Sequence, residues 1–195
     1  FIAQPEKADE LKSAEKVRIF DLAEEIVEQN PLPPYTTDSL LQDGIYNLNL
    51  PASDVMALAQ ELFESGLITY HRTDSTRVSS FGVNLARQYL ERENLGSYFK
   101  PRTWATEEGA HECIRPTRPL NSFELETDID AKLLLLQTKL SKKHLKLYDL
   151  IFKRFIASQM SPVKVKVFKF KAQLENLTQD FQFNGAVVEN GFNLI

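Results

Sequence analysis

The sequence predicts a mixed α+β fold in which a mostly helical segment is inserted into a β-rich domain. Three observations carry that reading. In "PASDVMALAQELFESG", residues 51–66, Val55, Met56, Leu58, Ala59, Leu62 and Phe63 share one face at helical spacing. After Pro162 the period drops to two, so that in "VKVKVFKFK" Val163, Val165 and Val167 alternate with Lys164 and Lys166. Between the N-terminal stretch and the helices stands "NPLPPY", residues 30–35, whose three prolines restrict both themselves and their predecessors and mark a boundary.

The elements follow in order. Residues 16–30 begin like a strand and grow more polar, leaving helix and strand both open. "TTDSLLQDGIYNL" reads as a helix capped by Thr36 or Thr37. In the next helix Ser53 is the candidate cap and Gly66 the stop. "LITY" is a short extended piece, and a third helix starts near Ser79 or Ser80. Helix, turn, helix, strand, loop, helix within about 60 residues is similar to a helix-turn-helix with a wing. Residues 107–120 form an irregular segment punctuated by Pro116 and Pro119. Two helices are expected at roughly 128–140 and 142–158, the second led by Ser141. The alternation slips at Val167–Phe168, which predicts a bulge, and Asn184–Gly185 predicts the turn of a hairpin. The domains expected are 1–30 and 156–195, two parts of one β-rich domain, around a helical, winged-helix-like domain at 31–155. The apolar ending "GFNLI" predicts a chain that continues beyond residue 195.

Bulk properties narrow the function classes. At 195 residues, 43% hydrophobic and 26% charged, the chain has the make-up of a soluble globular protein. It contains no run of about 18 apolar residues, and Pro5, Glu6 and Lys7 interrupt any leader-like start. Its single cysteine, Cys113, excludes an internal disulfide and a cysteine-based zinc site, so a reducing, cytoplasmic setting is expected. The net charge of −4 hides a segregation: residues 1–70 carry 4 basic and 13 acidic side chains, residues 139–171 carry 10 basic and one acidic. The basic stretch is either a footprint for a polyanion or a solvated helix face followed by a lysine-protected edge strand.

The chemistry concentrates in "GLITYHRTDSTRVSS", residues 66–80. Tyrosine is a nucleophile only when something favours the phenolate, since its hydroxyl titrates near about 10. Guanidinium groups do so by charge and also neutralise a phosphate under attack. Arg72 and Arg77 follow Tyr70 closely, Thr73, Ser75 and Thr76 are hydrogen-bond donors, and Asp74 can orient an arginine or hold a hydroxyl in place. The set suits attack on a phosphodiester. It is equally what a half-buried strand tyrosine followed by a capped turn would show.

"GLITYHRTDSTRVS" resembles the signature of the type IA DNA topoisomerases, a Gly-x-Ile-Thr-Tyr-x-Arg-Thr-Asp-Ser string whose tyrosine is the nucleophile. "PPYTTDSLLQDG" at 33–44 resembles the family's Pro-Pro-x-Thr-Thr segment, and "GAHECIRPT" at 109–117 its Ala-His-Glu-x-Ile-Arg-Pro-Thr motif. "RFIASQM" at 154–160 resembles the return into the family's gate, or arch, domain. Among family members, His71, Arg77–Val78 and "HECIRPTR" look most like the topoisomerase part of reverse gyrase; bacterial-type topoisomerase I or III is the alternative, and a non-catalytic winged-helix DNA-binding module the rival outside the family.

The resemblance implies that Tyr70 joins the 5′ phosphate of a cleaved strand and that Arg72 contacts the scissile phosphate. It implies that His111 and Arg115 line the same pocket, with Glu112 and Thr117 behind them. Lys142, Lys143, Lys146, Lys164 and Lys166 are expected along the DNA path, with Thr73, Ser75 and Arg77. The partner implied is single-stranded or underwound DNA. The acidic cluster that binds Mg2+ and, in reverse gyrase, the helicase-like portion that binds ATP belong to other domains of the parent protein. The chain itself is expected to bind neither and to be catalytically incomplete. His144, on the basic helix, is expected at the surface.

Overall fold

The computed structural model describes residues 18–105, 111–136, 139–174 and 177–195. The acids before Arg18, and Gly109 and Ala110 of the "GAHECIRPT" string, lie outside them. The fold is mixed, with five α-helices and a three-stranded antiparallel sheet among the described residues. It divides into two compact units, one of Phe1–Gln29 and Val163–Asn190, the other of Asn30–Pro162 and Gly191–Ile195.

In the first unit β1 (Arg18–Gln29), β2 (Val163–Leu174) and β3 (Leu177–Glu189) lie in chain order across the sheet. The period-two pattern holds: Val163, Val165 and Val167 are buried, and Lys164 and Lys166 point the other way. β2 is the central strand, so its lysines protect no edge. They pair instead with acids on both neighbours: Lys164 with Glu189 at 2.7 Å, Lys166 with Glu24 at 2.9 Å, Lys169 with Glu25 at 2.6 Å and Lys171 with Asp21 at 3.1 Å. The charge of the β2 lysines is thus matched across the sheet.

Two irregularities differ from expectation. The register against β1 runs unbroken through Val167 and Phe168; it slips between Phe20 and Ala23, where Asp21 takes a left-handed backbone (φ 54°). Against β3 it slips on either side of Val165, which pairs with Val187. Asn184–Gly185 therefore sits inside β3 and makes no turn. The Phe168 ring lies where a Cβ on Gly185 would have to go, so the glycine serves a close approach within the ladder.

The second unit is helical. α1 (Thr37–Leu48) is opened by a capping box between Thr36 and Ser39. α2 (Ala52–Glu64) starts one residue ahead of Ser53, with Pro51 at the cap position, where a missing N–H costs nothing. Val55, Leu58, Ala59 and Leu62 are buried as expected, while Phe63 remains 37% exposed. α3 (Ser80–Arg92) is capped by Ser79, which accepts from the Gly82 N–H at 3.2 Å. The helix expected at 128–140 is instead α4, Ser122–Asp130. A capping box between Asn121 and Glu124 starts it early, and Lys132, at φ 58°, lies just past its end. Leu133 and Leu135 follow it in the open. The expected wing is not a strand ladder; near it the described residues form only the isolated bridges Tyr35–Ile114 and Ile68–Pro116.

α5 (Lys142–Ser158) is the axis of this unit and touches each of the other four helices. Leu147, Tyr148, Ile151, Phe152, Phe155 and Ile156 form its buried stripe. His144 is buried as well, against the surface placement expected for it: its Nδ1 meets the Ser141 hydroxyl at 2.8 Å and its Nε2 lies 2.9 Å from Glu61 on α2. A histidine with both nitrogens matched can lie on an inward-facing turn, which a reading by charge alone overlooks. Arg154 ties the proline-rich entry to the helix, donating to the Pro33 carbonyl at 2.8 Å and lying 4.7 Å from the Tyr35 ring centre.

Phe152 packs edge-on to Tyr89 at 4.8 Å and stacks on Tyr148 at 6.2 Å. Phe152→Ala is expected to cost about 3–5 kcal/mol, read as a lower urea midpoint with an unchanged slope.

Candidate active site

Residues 66–79 have almost no regular structure of their own, so their backbone groups must be satisfied from outside. Gly66 turns the chain out of α2 with a φ of 69°, and the Leu67 N–H closes the turn on the Leu62 carbonyl at 3.0 Å. The chain then runs antiparallel to residues 113–117. Thr117 N–H donates to the Leu67 carbonyl at 3.0 Å and Thr69 N–H to the Arg115 carbonyl at 2.9 Å. The Thr69 hydroxyl accepts from Arg115 N–H at 2.9 Å and donates to the Cys113 carbonyl at 2.7 Å. Further on, Cys113 N–H reaches the Arg77 carbonyl at 2.9 Å.

A second clamp comes from the start of α1. Thr37 N–H and hydroxyl donate to the Thr73 carbonyl at 2.8 and 3.0 Å, and the hydroxyl also lies 2.8 Å from the His71 carbonyl. The same oxygen accepts from Thr73 N–H at 2.9 Å. Thr73 and Ser75 continue the pattern, their hydroxyls accepting from the N–H groups of Ser75 and Arg77, both at 3.1 Å. Their side-chain oxygens shape the loop.

Between these clamps stands Tyr70, 45% exposed. Its ring is edge-on to Phe63 at 5.2 Å and to His71 at 5.4 Å, and Phe63 and His71 are themselves 6.0 Å apart. Arg72 and Asp74 are exposed beside it. His71 is buried, and burial, aided by the nearby Arg72 charge and opposed by Glu64, holds its imidazole below the usual range.

The "HECIRPT" segment divides between surface and interior. His111 is exposed, and its carbonyl accepts from Arg77 Nε at 3.2 Å. Arg115 is buried, its Nε and Nη2 on the two Glu112 oxygens at 2.7 and 2.9 Å and its Nη1 on the Pro116 carbonyl at 2.9 Å. Glu112 also accepts from the Ser79 hydroxyl at 2.6 Å. Burial works against its ionisation, but the bonds from Arg115 and Ser79 outweigh it and keep the carboxyl below the usual carboxylate range. A side chain on Gly82 would strike the Arg115 guanidinium, so the approach of α3 to this pair needs glycine. Thr117 closes the segment through its hydroxyl on the Gly66 carbonyl at 2.6 Å. Cys113 is pushed up to about 12, chiefly by burial, which leaves its thiol inert.

One scaffold thus brings together Tyr70, Arg72, Thr73, Asp74, Ser75, Arg77, His111, Glu112, Arg115 and Thr117. Lys142, Lys143 and Lys146 are exposed on α5, Lys143 lying 3.6 Å from Asp54; Lys164 and Lys166 belong to the sheet unit. Sequence reasoning missed Thr37, Phe63, Thr69 and Ser79 as site residues, although Thr37 and Ser79 had been read as helix starts. Among the described residues no group of three or more His, Cys, Asp or Glu is placed to hold a metal ion, and no helix is long and apolar enough to cross a membrane.

Glu112→Gln leaves a buried guanidinium without its counter-charge, an expected loss of about 3–5 kcal/mol. Because the Glu112 pKa is lowered on folding, its contribution is full above the ordinary carboxylate value, about 4.3, and is lost as pH falls through the depressed value. Urea midpoints across acidic pH should therefore fall more steeply for the wild-type chain than for the variant; parallel curves would contradict the pairing.

A family model described as DNA topoisomerase matches residues 3–195. Reverse gyrase from Pyrobaculum aerophilum is 47% identical over 188 residues, covering 96% of this chain and 15% of that protein. Reverse gyrase from Pyrococcus furiosus is 52% identical over 77% of this chain and 12% of its own length. The full-length topoisomerase I of Thermotoga maritima superposes with a TM-score of 0.69 at 28% identity, covering 98% of this chain and 31% of that one. The chain therefore spans only about a seventh of the reverse gyrases it matches. With the family model matching residues 3–195 and these relatives covering most of it, the chain belongs to the DNA topoisomerase family, in the type IA branch.

Proposed function

We propose that this chain is the tyrosine-bearing part of a reverse gyrase and that Tyr70 is the nucleophile of transient single-strand cleavage. The Tyr70 oxygen attacks a backbone phosphorus, the bond to the 3′ oxygen breaks, and that oxygen leaves as a hydroxyl, taking up one proton as the Tyr70 hydroxyl gives one up. The strand is held as a 5′-phosphotyrosyl ester. One phosphoester replaces another, so the reverse attack by the 3′ hydroxyl reseals the strand without an outside energy source. The observation that carries this reading is the exposure of Tyr70 on a segment whose neighbours are locked from both sides. Its ring packs on Phe63 and His71 while the exposed Arg72 stands next to it in the chain.

Arg72 is the group proposed to neutralise the attacked phosphate, with His111 donating from the same surface. Arg115 acts differently from a phosphate ligand: engaged by Glu112 and Pro116, it orients the segment that presents Tyr70. Asp74 and Arg77 border the strand. Lys142 and Lys146 offer phosphate contacts, and Lys164 and Lys166 remain available because exposed ion pairs contribute only about 0–1 kcal/mol and a polyanion competes for them. The helical unit is proposed to act as a lid, with the crossings of the chain between it and the sheet unit, at 29–30, 162–163 and 190–191, as its hinge. In the parent protein Mg2+ and ATP are bound by other domains, and the supercoiling activity belongs to that whole. Identities of 43–53% to proteins named reverse gyrase favour this parent over an ordinary topoisomerase I.

Tyr70→Phe in the parent protein removes one oxygen. On end-labelled single-stranded DNA it is expected to keep binding and to give no protein-linked strand on a denaturing gel. An adduct that survives the substitution would sink the assignment, and no adduct from the wild-type protein would favour a simple DNA-binding module.

A further inference from the structure

His71 is 1% exposed, yet among the described residues neither ring nitrogen has a hydrogen-bond partner. A buried imidazole is a strong donor and acceptor, and native interiors rarely leave such a group unmatched. Its backbone cannot move to find partners, because its carbonyl accepts from Thr37 of α1 and Tyr70 and Thr73 lie on either side in the clamped segment. What the ring does have is aromatic company. Phe63, Tyr70 and His71 form a closed triangle of contacts at 5.2, 5.4 and 6.0 Å. The ring is used as an apolar plate, and only its neutral form can serve that way.

We infer that His71 is a positioning residue for the reaction proposed above: its neutral ring and Phe63 hold the direction of the Tyr70 hydroxyl, and protonation of the ring releases it. This rests on the reading of Tyr70 as nucleophile. An imidazolium in the triangle would bring a poorly solvated charge between two aromatic rings and beside Arg72 on its own segment. Glu64, at the end of α2, is the acid that opposes this, and it is exposed to solvent, which screens it. Burial and Arg72 together hold the ring neutral at ordinary pH, so release comes only as pH falls below the usual histidine range, about 6.5.

Two measurements test this separately from the cleavage assignment. In the parent protein, single-turnover formation of the tyrosine-linked strand should fall about tenfold per pH unit on its acid limb. His71→Phe, which keeps a ring that cannot titrate, should lose that limb, and His71→Ala should slow the step at every pH with DNA affinity retained. An acid limb identical in wild type and His71→Phe would overturn the proposal, as would an unaffected rate in His71→Ala. In the 195-residue chain without DNA, carbon shifts of the Tyr70 ring should titrate together with those of His71. A Tyr70 signal that ignores His71 protonation overturns the positioning role even if cleavage on Tyr70 is verified. A Tyr70 signal that follows it upholds the coupling of the His71 ring to Tyr70, and an adduct found on another residue would then overturn the nucleophile assignment and with it the role in the reaction.

Discussion

The hydrogen-bond exchange between Thr69 and Arg115 is the constraint on which the rest of the site depends. A segment that must present a side chain to solvent cannot bury itself in a helix or a wide sheet, yet its peptide groups still need partners. Thr69 meets that need with both its backbone and its hydroxyl, bonding to Cys113 and Arg115 in a segment about 45 residues away in sequence. The exchange puts the "HECIRPT" segment beside the tyrosine string, and every other placement follows: Arg77 against His111, Thr117 against Gly66, Ser79 against Glu112.

Charge is used in two distinct ways. Glu112 and Arg115 form a pair that is nearly closed to water, with side-chain exposures of 19% and 6%, and every arginine nitrogen finds an oxygen. Such a pair contributes little net stability but tolerates no loss of one member. The lysines of β2 are the opposite case, exposed and paired with acids across the sheet at little energetic gain. One arrangement fixes a geometry; the other keeps a strongly basic strand soluble and leaves its charges open to exchange.

Much of the site was legible from residue order, because the tyrosine, its flanking arginine and the "HECIRPT" string are contiguous in sequence and chemically distinctive. Helix starts were legible wherever a hydroxyl side chain does the capping, as at Thr36, Ser79 and Ser141. Three expectations failed for physical reasons. The start of α4 depends on Asn121 and Glu124 bonding to each other's backbone, a local event that overrides the apolar spacing further on. Asn184–Gly185 has the residues of a tight turn, but the Phe168 ring needs the same glycine for clearance inside a strand. His144 looked like one more cation on a basic face until Glu61, from another helix, completed its bonding. The roles of Thr37 and Thr69 were invisible because a threonine hydroxyl has no signature until its distant partner is known.

The tyrosine segment is held rigid through backbone pairing, although it lies in no regular element. Amide hydrogen exchange on the chain tests that most directly. The N–H groups of Thr69, Thr73, Cys113, Arg115 and Thr117 are expected to show protection approaching that of Ile151 and Phe152 in the buried helix. Exchange at these five amides as fast as in an open loop, with the buried helix still protected, would contradict it.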